Sequence, residues 1–208
     1  MSMSIIGAGN VGMALAQALT KRGEQVCLGV PDPAKYRDAV ARLGGSATLA
    51  TPGAAISTSD LVILAVPYAA ADGVARSVPD WGNKILVDAT NPLAPGLAGL
   101  VVGTTASGAE EIARAANRAR VVKAFNTTGA ENMADSRYPG GKVLMPVCGD
   151  DADARARVIR LASLIGFDAV DFGELRAARY LEPLAMCWIH MAFKLGQGRR
   201  FAFARLER

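Results

Sequence analysis

A single histidine, His190, stands in a chain of 208 residues. The three cysteines, Cys27, Cys148 and Cys187, are widely spaced and form no C-x-x-C pair. So few soft ligands argue against a zinc or iron–sulfur centre, and no metal is expected. An odd, scattered set of thiols instead fits reduced, buried cysteines in a cytoplasmic protein. No run of lysine and arginine is present and the net charge of +4 is mild, so no nucleic-acid surface is expected. The most apolar late stretch, LEPLAMCWIHMAF, is too short to cross a bilayer and carries Glu182, Pro183 and His190, so no membrane partner is expected either. The N-terminus enters an apolar strand without a basic leader, which argues against a secretory signal. There is no internal repeat and no low-complexity linker.

What the chain does have is core material: 51% of it is hydrophobic and 20% charged. Residues 3–6 read as a short buried strand. The glycine run GAGNVG follows at 7–12, then a helix of mixed apolar spacing ending near Gly23, then a second strand at 25–30. Three glycines in this pattern arise by chance in small-residue turns. Strand, glycine elbow, helix and strand within ~30 residues is the context of a dinucleotide fingerprint. In that reading Gly7 permits the turn, Gly9 lets the backbone approach a pyrophosphate, and Gly12 lets the helix pack on the strand. The helix N-terminus would offer free N–H groups and partial positive charge to the phosphates.

Further along, LVILAV (61–66), KILVDA (84–89), RVVKAF (120–125), KVLMPVCGD (142–150) and FDAVDF (167–172) read as strands, the 142–150 run being the sixth or seventh. Helical patterns fall between them. Ser107 and Glu110 match a capping box, Asp150 or Asp151 caps the helix that Gly166 ends, and a long helix is expected from Glu174 onward, with Pro183 inside it. The alternation predicts an α/β fold: a Rossmann-type doubly wound, mostly parallel sheet with a C-terminal extension ending in a long helix. Residues 1–125 are expected to form the dinucleotide-binding domain. Residues 126–208 are expected to pack on the same sheet and shape the second substrate's pocket.

Ligands of such sheets sit outside the carboxyl ends of the strands. By position alone the candidates are Gly7, Ala8, Gly9, Asn10, Val11, Gly12, Val30, Pro31, Asp32, Val66, Pro67, Tyr68, Asn91 and Ala124, and Lys35 joins them as a cation just downstream. Pro67 and Pro92 fit plain strand termination as well as a shared ligand edge, and Phe125 fits core packing. Asn126 fits a ligand contact and an Asx turn equally. Neither a catalytic triad nor an acid–base pair is visible. His190 and Asn126 are the weak catalytic candidates, and the apolar neighbours of His190 favour a buried structural or dimer-interface histidine.

GAGNVG, LVILAVP, VDATNPL, SGAEEIA, VVKAFNT, PVCGDD and FDAVDFGELRAARYLEPLA occur in that order. Together they resemble the coenzyme F420-dependent NADP oxidoreductase family, and they are also similar to the cytosolic oxidoreductase domain of the STEAP metalloreductases. The resemblance runs from the first strand to about Leu184. It implies a hydride moved between NADPH and a flavin-like acceptor, F420 or a flavin, with Gly7, Gly9, Asn10, Val11 and Gly12 on the pyrophosphate. Val66 and Pro67 would lie along the cofactor and Ala124 to Asn126 near the nicotinamide. Members that use NADP place a Ser-Arg or Val-Arg pair after the glycine ending the second strand; here Val30-Pro31-Asp32 follows Gly29. Pro31 replaces the arginine, and an acidic residue near the ribose favours NAD. Lys35 and Arg37 lie just downstream, and Asp32 also fits a helix N-cap before Pro33. The resemblance favours NADP, with NAD as the other choice. The apolar C-terminal helix suggests a homodimer, with Trp188, Met191 and Phe193 on a flavin pocket or a dimer face. A non-catalytic NADP(H)-binding sensor or partner protein is the alternative function.

Overall fold

The computed structural model describes residues 2–208. The chain builds a ten-strand, eight-helix arrangement in the order β1 Met3–Ile6, α1 Asn10–Thr20, β2 Val26–Gly29, α2 Pro33–Ala41, β3 Ala47–Ala50, α3 Pro52–Ser57, β4 Leu61–Leu64, α4 Tyr68–Arg76 and β5 Ile85–Asp88. It continues with α5 Gly108–Ala115, β6 Arg120–Lys123, α6 Ala130–Ala134, β7 Arg137–Tyr138, β8 Gly141–Lys142, β9 Leu144–Gly149, α7 Ala152–Leu164, β10 Asp168–Asp171 and α8 Ala178–Ile189. One sheet takes eight strands in the order β3-β2-β1-β4-β5-β6-β9-β10. Neighbours from β3 to β6 are parallel, β6 and β9 run antiparallel, and β9 and β10 are parallel again. Strands β7 and β8 form a separate two-residue hairpin.

Side chains alternate across the central strands, as the two-residue period of a strand requires. Ile5, Ile63, Val87 and Val122 face one core with Leu15, Leu19 and Val158 of α1 and α7. Ile6, Leu64, Leu86 and Val121 face a second core with Ile56, Ile112 and Leu181. Both faces are covered, which is why these strands are mostly apolar on both faces, Ser4, Asp88 and Lys123 being buried exceptions.

The glycine-terminated helices behave as their sequence implies. Gly23 has φ +86, and the Glu24 N–H reaches back to the Leu19 carbonyl at 3.1 Å. At the start of α5 the Ser107 hydroxyl accepts from the Glu110 N–H at 3.2 Å and donates to the Glu110 carboxylate at 2.7 Å. Ser107→Ala is expected to lower stability by about 1 kcal/mol. Urea denaturation reads it, and an unchanged midpoint would remove the cap from the account. Asp151, not Asp150, caps α7 through the Ala154 N–H at 2.7 Å.

Several expectations are corrected. The 142–150 strand is the ninth, because β3 and the small hairpin precede it. The long C-terminal helix, by contrast, is present as expected: a 3-10 turn at Leu175–Ala177 leads into α8, which holds Pro183, and a π-helical turn follows at His190–Lys194. Residues 195–208 carry no regular structure and return along the fold, the Phe203 carbonyl accepting the Leu144 N–H at 2.9 Å. His190 is exposed rather than buried. Only Cys148 of the three free thiols is buried; Cys27 is half-buried and Cys187 exposed.

Candidate functional site

Because β1, β2, β4, β5 and β6 are parallel, their carboxyl ends share one edge. Backbone bonds carry that edge from strand to strand: Gly7 N–H to Gly29 O, Ala65 N–H to Ile6 O, Ala89 N–H to Leu64 O and Ala124 N–H to Asp88 O. The structure therefore gathers the elbow 7–12, Val30 to Asp32, Val66 to Tyr68, Asn91 and Ala124 to Asn126 along one side of the sheet. Lys35 lies on the exposed first turns of α2.

The three glycines of the elbow are needed for different reasons. Gly7 has φ +105, and a Cβ there would lie 2.5 Å from the Ala65 carbonyl oxygen. A Cβ on Gly12 would lie 2.0 Å from the Gly7 oxygen. Both are demands of the fold itself. Gly9 is different: its Cβ would meet nothing within 4 Å, and its φ of −76° suits any residue. Nothing in the protein requires glycine there, so the open space in front of it is the feature a closely approaching ligand would use. Gly9 is the N-cap of α1, no side chain caps that helix, and its first turn holds no acidic residue. Its leading amides and partial positive charge are left for an anion. Ala8 and Val11 are half-buried against the core, and Asn10 is exposed.

Around this elbow the other candidates differ in what they can touch. Val30 and Ala124 are buried in the core, so only their backbone borders the edge. Val66 is half-buried and Pro67 exposed. The Tyr68 hydroxyl donates to Glu111 of α5. Burial and that bond raise the phenol above its ordinary value, so it remains protonated. Asn91 and Asn126 pair across the edge: Asn126 Nδ2 donates to Asn91 Oδ1 at 3.0 Å, and Asn91 Nδ2 donates to the Asn126 carbonyl at 2.9 Å. Asn126 also donates to the Leu181 carbonyl of α8 at 3.2 Å. These are tertiary ties rather than an Asx turn. Phe125 packs in the core with φ +61, its N–H directed at the Met145 sulfur at 3.1 Å. Burial pushes the Cys148 thiol up to about 12, which removes it as a nucleophile.

Beneath the same edge lies a cluster that the sequence reading missed. The Lys123 ammonium, fully buried, bonds Asp88 at 2.8 Å, the Thr90 carbonyl at 2.7 Å and Glu182 of α8 at 2.9 Å. Asp88 accepts in addition from the Thr90 N–H and hydroxyl at 2.9 and 2.7 Å. Glu182 accepts from the first two amides of α5, Gly108 and Ala109, at 2.9 and 3.1 Å. Two carboxylates and one ammonium leave one negative charge, which the positive end of α5 offsets. Burial pulls the Lys123 basicity down, but Asp88 and Glu182 outweigh it and hold it above the usual lysine value. The cluster fixes the loop after β5 and seats α8 at the ligand edge. A second tie, Arg179 to Glu110 in two bonds of 2.7 and 2.9 Å, joins α8 to α5.

His190 lies at the far end of α8. Asn126 spends its amide N–H groups on Asn91 and Leu181, its buried Oδ1 has no hydrogen-bond partner among the described residues, and an amide is neither acid nor base at neutral pH. Trp188 is buried beneath Phe201, their rings stacked at 5.2 Å, while Met191 is half-buried and Phe193 is exposed. Among the described residues no group of three potential metal ligands converges, and no helix is long and apolar enough to cross a membrane.

Residues 2–92 match the family described as NADP oxidoreductase, coenzyme F420-dependent. The chain is 30% identical over 207 residues to the F420-dependent NADP reductase of Methanothermobacter thermautotrophicus, covering 92% of this chain and 89% of that protein. It is 27% identical over 184 residues to metalloreductase STEAP3 of Rattus norvegicus; those residues are 88% of this chain but only 36% of that protein. Among solved structures, a candidate F420-dependent NADP-reductase from Arthrobacter sp. FB24 superposes with a TM-score of 0.88 at 30% identity over the whole of both chains. A reductive aminase from Aspergillus terreus in complex with NADPH shares the fold at a TM-score of 0.71 and 19% identity, covering 94% of this chain and 62% of that one.

Proposed function

Since the chain belongs to the coenzyme F420-dependent NADP oxidoreductase family, we propose that it transfers a hydride between a nicotinamide dinucleotide and a flavin-like acceptor, F420 or a flavin. NADP(H) is the dinucleotide in the names of the F420-dependent relatives; Pro31 and Asp32 favour NAD(H) as the other choice. The observation that carries the reading is the open space at Gly9 before an uncapped, acid-free helix N-terminus, at the carboxyl edge of parallel strands.

In this reading the backbone of Gly7 to Gly12 holds the diphosphate, and Val66, Pro67 and Tyr68 line the cofactor's path toward Asn91 and Ala124. Residues 1–125 supply the cofactor side, and residues 126–208 supply the acceptor side through α8. The dinucleotide brings the hydride chemistry; the protein brings alignment and the exclusion of water. Tyr68, held as a neutral phenol, and the internally neutralised Lys123 cluster leave the edge with little acid–base activity, as a hydride transfer that depends on positioning requires.

Mixing the protein with NADPH or NADH and with F420, FMN or FAD in turn, and following the loss of nicotinamide absorbance, tests this. Oxidation dependent on both protein and acceptor is expected. Tight dinucleotide binding with no turnover on any acceptor would favour a sensor or partner protein. Failure to bind either dinucleotide would sink the reading altogether.

A further inference from the structure

The end of β2 stands beside the glycine elbow: Ile6 and Gly29 are paired in register, and the Gly7 N–H bonds the Gly29 carbonyl at 3.0 Å. A dinucleotide held by the elbow therefore brings its adenosine ribose to Val30, Pro31 and Asp32. Asp32 is twenty residues beyond Gly12, the spacing at which an acidic side chain receives ribose hydroxyls.

Two devices bind a 2′-phosphate at such a place: a guanidinium or ammonium, or free amides at a helix start. Both are weakened here. Pro31 carries no charge. The first residue of α2 is Pro33, which has no N–H, and the next amide, that of Ala34, donates to Asp32 Oδ1 at 3.1 Å. The same carboxylate offsets the positive end of α2. Asp32 is exposed and forms no ion pair among the described residues, so its charge is fixed in place by the cap and met by no side-chain cation. The nearest cations on α2 are exposed. Lys35 holds its ammonium 6.0 Å from the Tyr36 ring centre, and Arg37 lies two residues further on.

We infer that Asp32 is a specificity-determining residue that makes this chain select the dinucleotide without the 2′-phosphate, NAD(H) over NADP(H), against the preference in its relatives' names. The inference rests on the cofactor reading of the Gly7–Gly12 elbow. Asp32 Oδ1 is engaged by Ala34, and Oδ2 remains to accept from the ribose 2′-hydroxyl. A phosphate on that oxygen would meet the carboxylate as a like charge.

Isothermal titration of the full chain with NADH and with NADPH, at one fixed ionic strength, tests it together with two variants. The wild-type protein is expected to bind NADH at least about tenfold more tightly than NADPH, since a like charge is set against the phosphate. Asp32→Ser retains a capping oxygen for Ala34 while removing the charge. It is expected to tighten NADPH about tenfold and to weaken NADH severalfold. Pro31→Arg is expected to tighten NADPH alone. A wild-type protein that binds NADPH as well as or better than NADH overturns the inference, and so does an Asp32→Ser ratio within about twofold of wild type. A folded wild-type protein that binds neither dinucleotide overturns the elbow reading, and the inference falls with it.

Discussion

Gly9→Val is expected to yield a folded protein that no longer binds a dinucleotide, whereas Gly12→Ala is expected to damage the fold itself. A side chain on Gly9 meets no protein atom within 4 Å, and the backbone there is already extended. The loss of a good N-cap residue costs about 1 kcal/mol or less. The added methyls fill the space in front of the α1 amides, so a diphosphate is pushed outward. A misplacement of that kind lowers affinity on the order of a hundredfold. On Gly12 the first carbon falls 2.0 Å from the Gly7 oxygen and 3.0 Å from its carbonyl carbon. Those are backbone atoms of the elbow and cannot rotate away, so the penalty is about 3 kcal/mol or more. Thermal denaturation with and without NADH or NADPH separates the two: Gly9→Val keeps its melting point and loses the ligand-induced rise, while Gly12→Ala melts early. If Gly9→Val bound normally, the diphosphate would have to lie elsewhere.

The second large effect belongs to Lys123. Lys123→Met leaves Asp88 and Glu182 as buried carboxylates without their shared cation. Breaking a buried charge cluster by removing one partner costs about 3–5 kcal/mol, a large part of the ~5–15 kcal/mol that holds a typical domain together. The expected result is a urea midpoint far below wild type. The triple variant Asp88→Asn, Lys123→Met, Glu182→Gln is expected to recover part of that loss, because it removes the charges together. A Lys123→Met protein as stable as wild type would show that the ammonium carries no structural weight. The pH dependence has a definite sign. Lys123 is held above the ordinary lysine value, so its contribution is complete below about pH 10 and fades only as pH climbs through the raised value. On this account the protein resists mild alkali, which an unfolding series from neutral to alkaline pH measures.

The parts of this molecule that could be read from sequence were the locally encoded ones. LVIL and the ILV of β5 are apolar on both faces because helices cover both faces, and the elbow was legible because its glycines fall between a strand and a helix. Ser107 and Glu110 announced their cap by spacing alone. Strand β3 escaped notice because ATLA is a half-exposed edge segment with neither an apolar run nor clear alternation. Helix α6 is five residues long, capped by Gly129, and too short for periodicity to show. The 195–208 segment takes its path from Trp188 and Leu144, which no local pattern encodes. The charged cluster was hidden for a related reason: Lys123 and Asp88 are thirty-five residues apart, and Glu182 sits in a third element. One clue was available. A lysine in RVVKAF, an aspartate in KILVDA and a glutamate in LEPLAM are lone charges in apolar stretches, and charges that must be buried neutralise one another. His190 misled in the opposite way, since its apolar neighbours belong to a helix whose end projects into solvent.

The tie between Glu182 and the start of α5 also bears on how the chain is made. Synthesis runs from the N-terminus, so strands β1 to β6 leave the ribosome well before residue 182 does. Until then Lys123 has Asp88 alone, and the amides of Gly108 and Ala109 wait for an acceptor that has not been translated. These buried polar groups gain their shared partner only when α8 arrives. The polar network at the carboxyl ends of β5 and β6 is therefore whole only once α8 has been made.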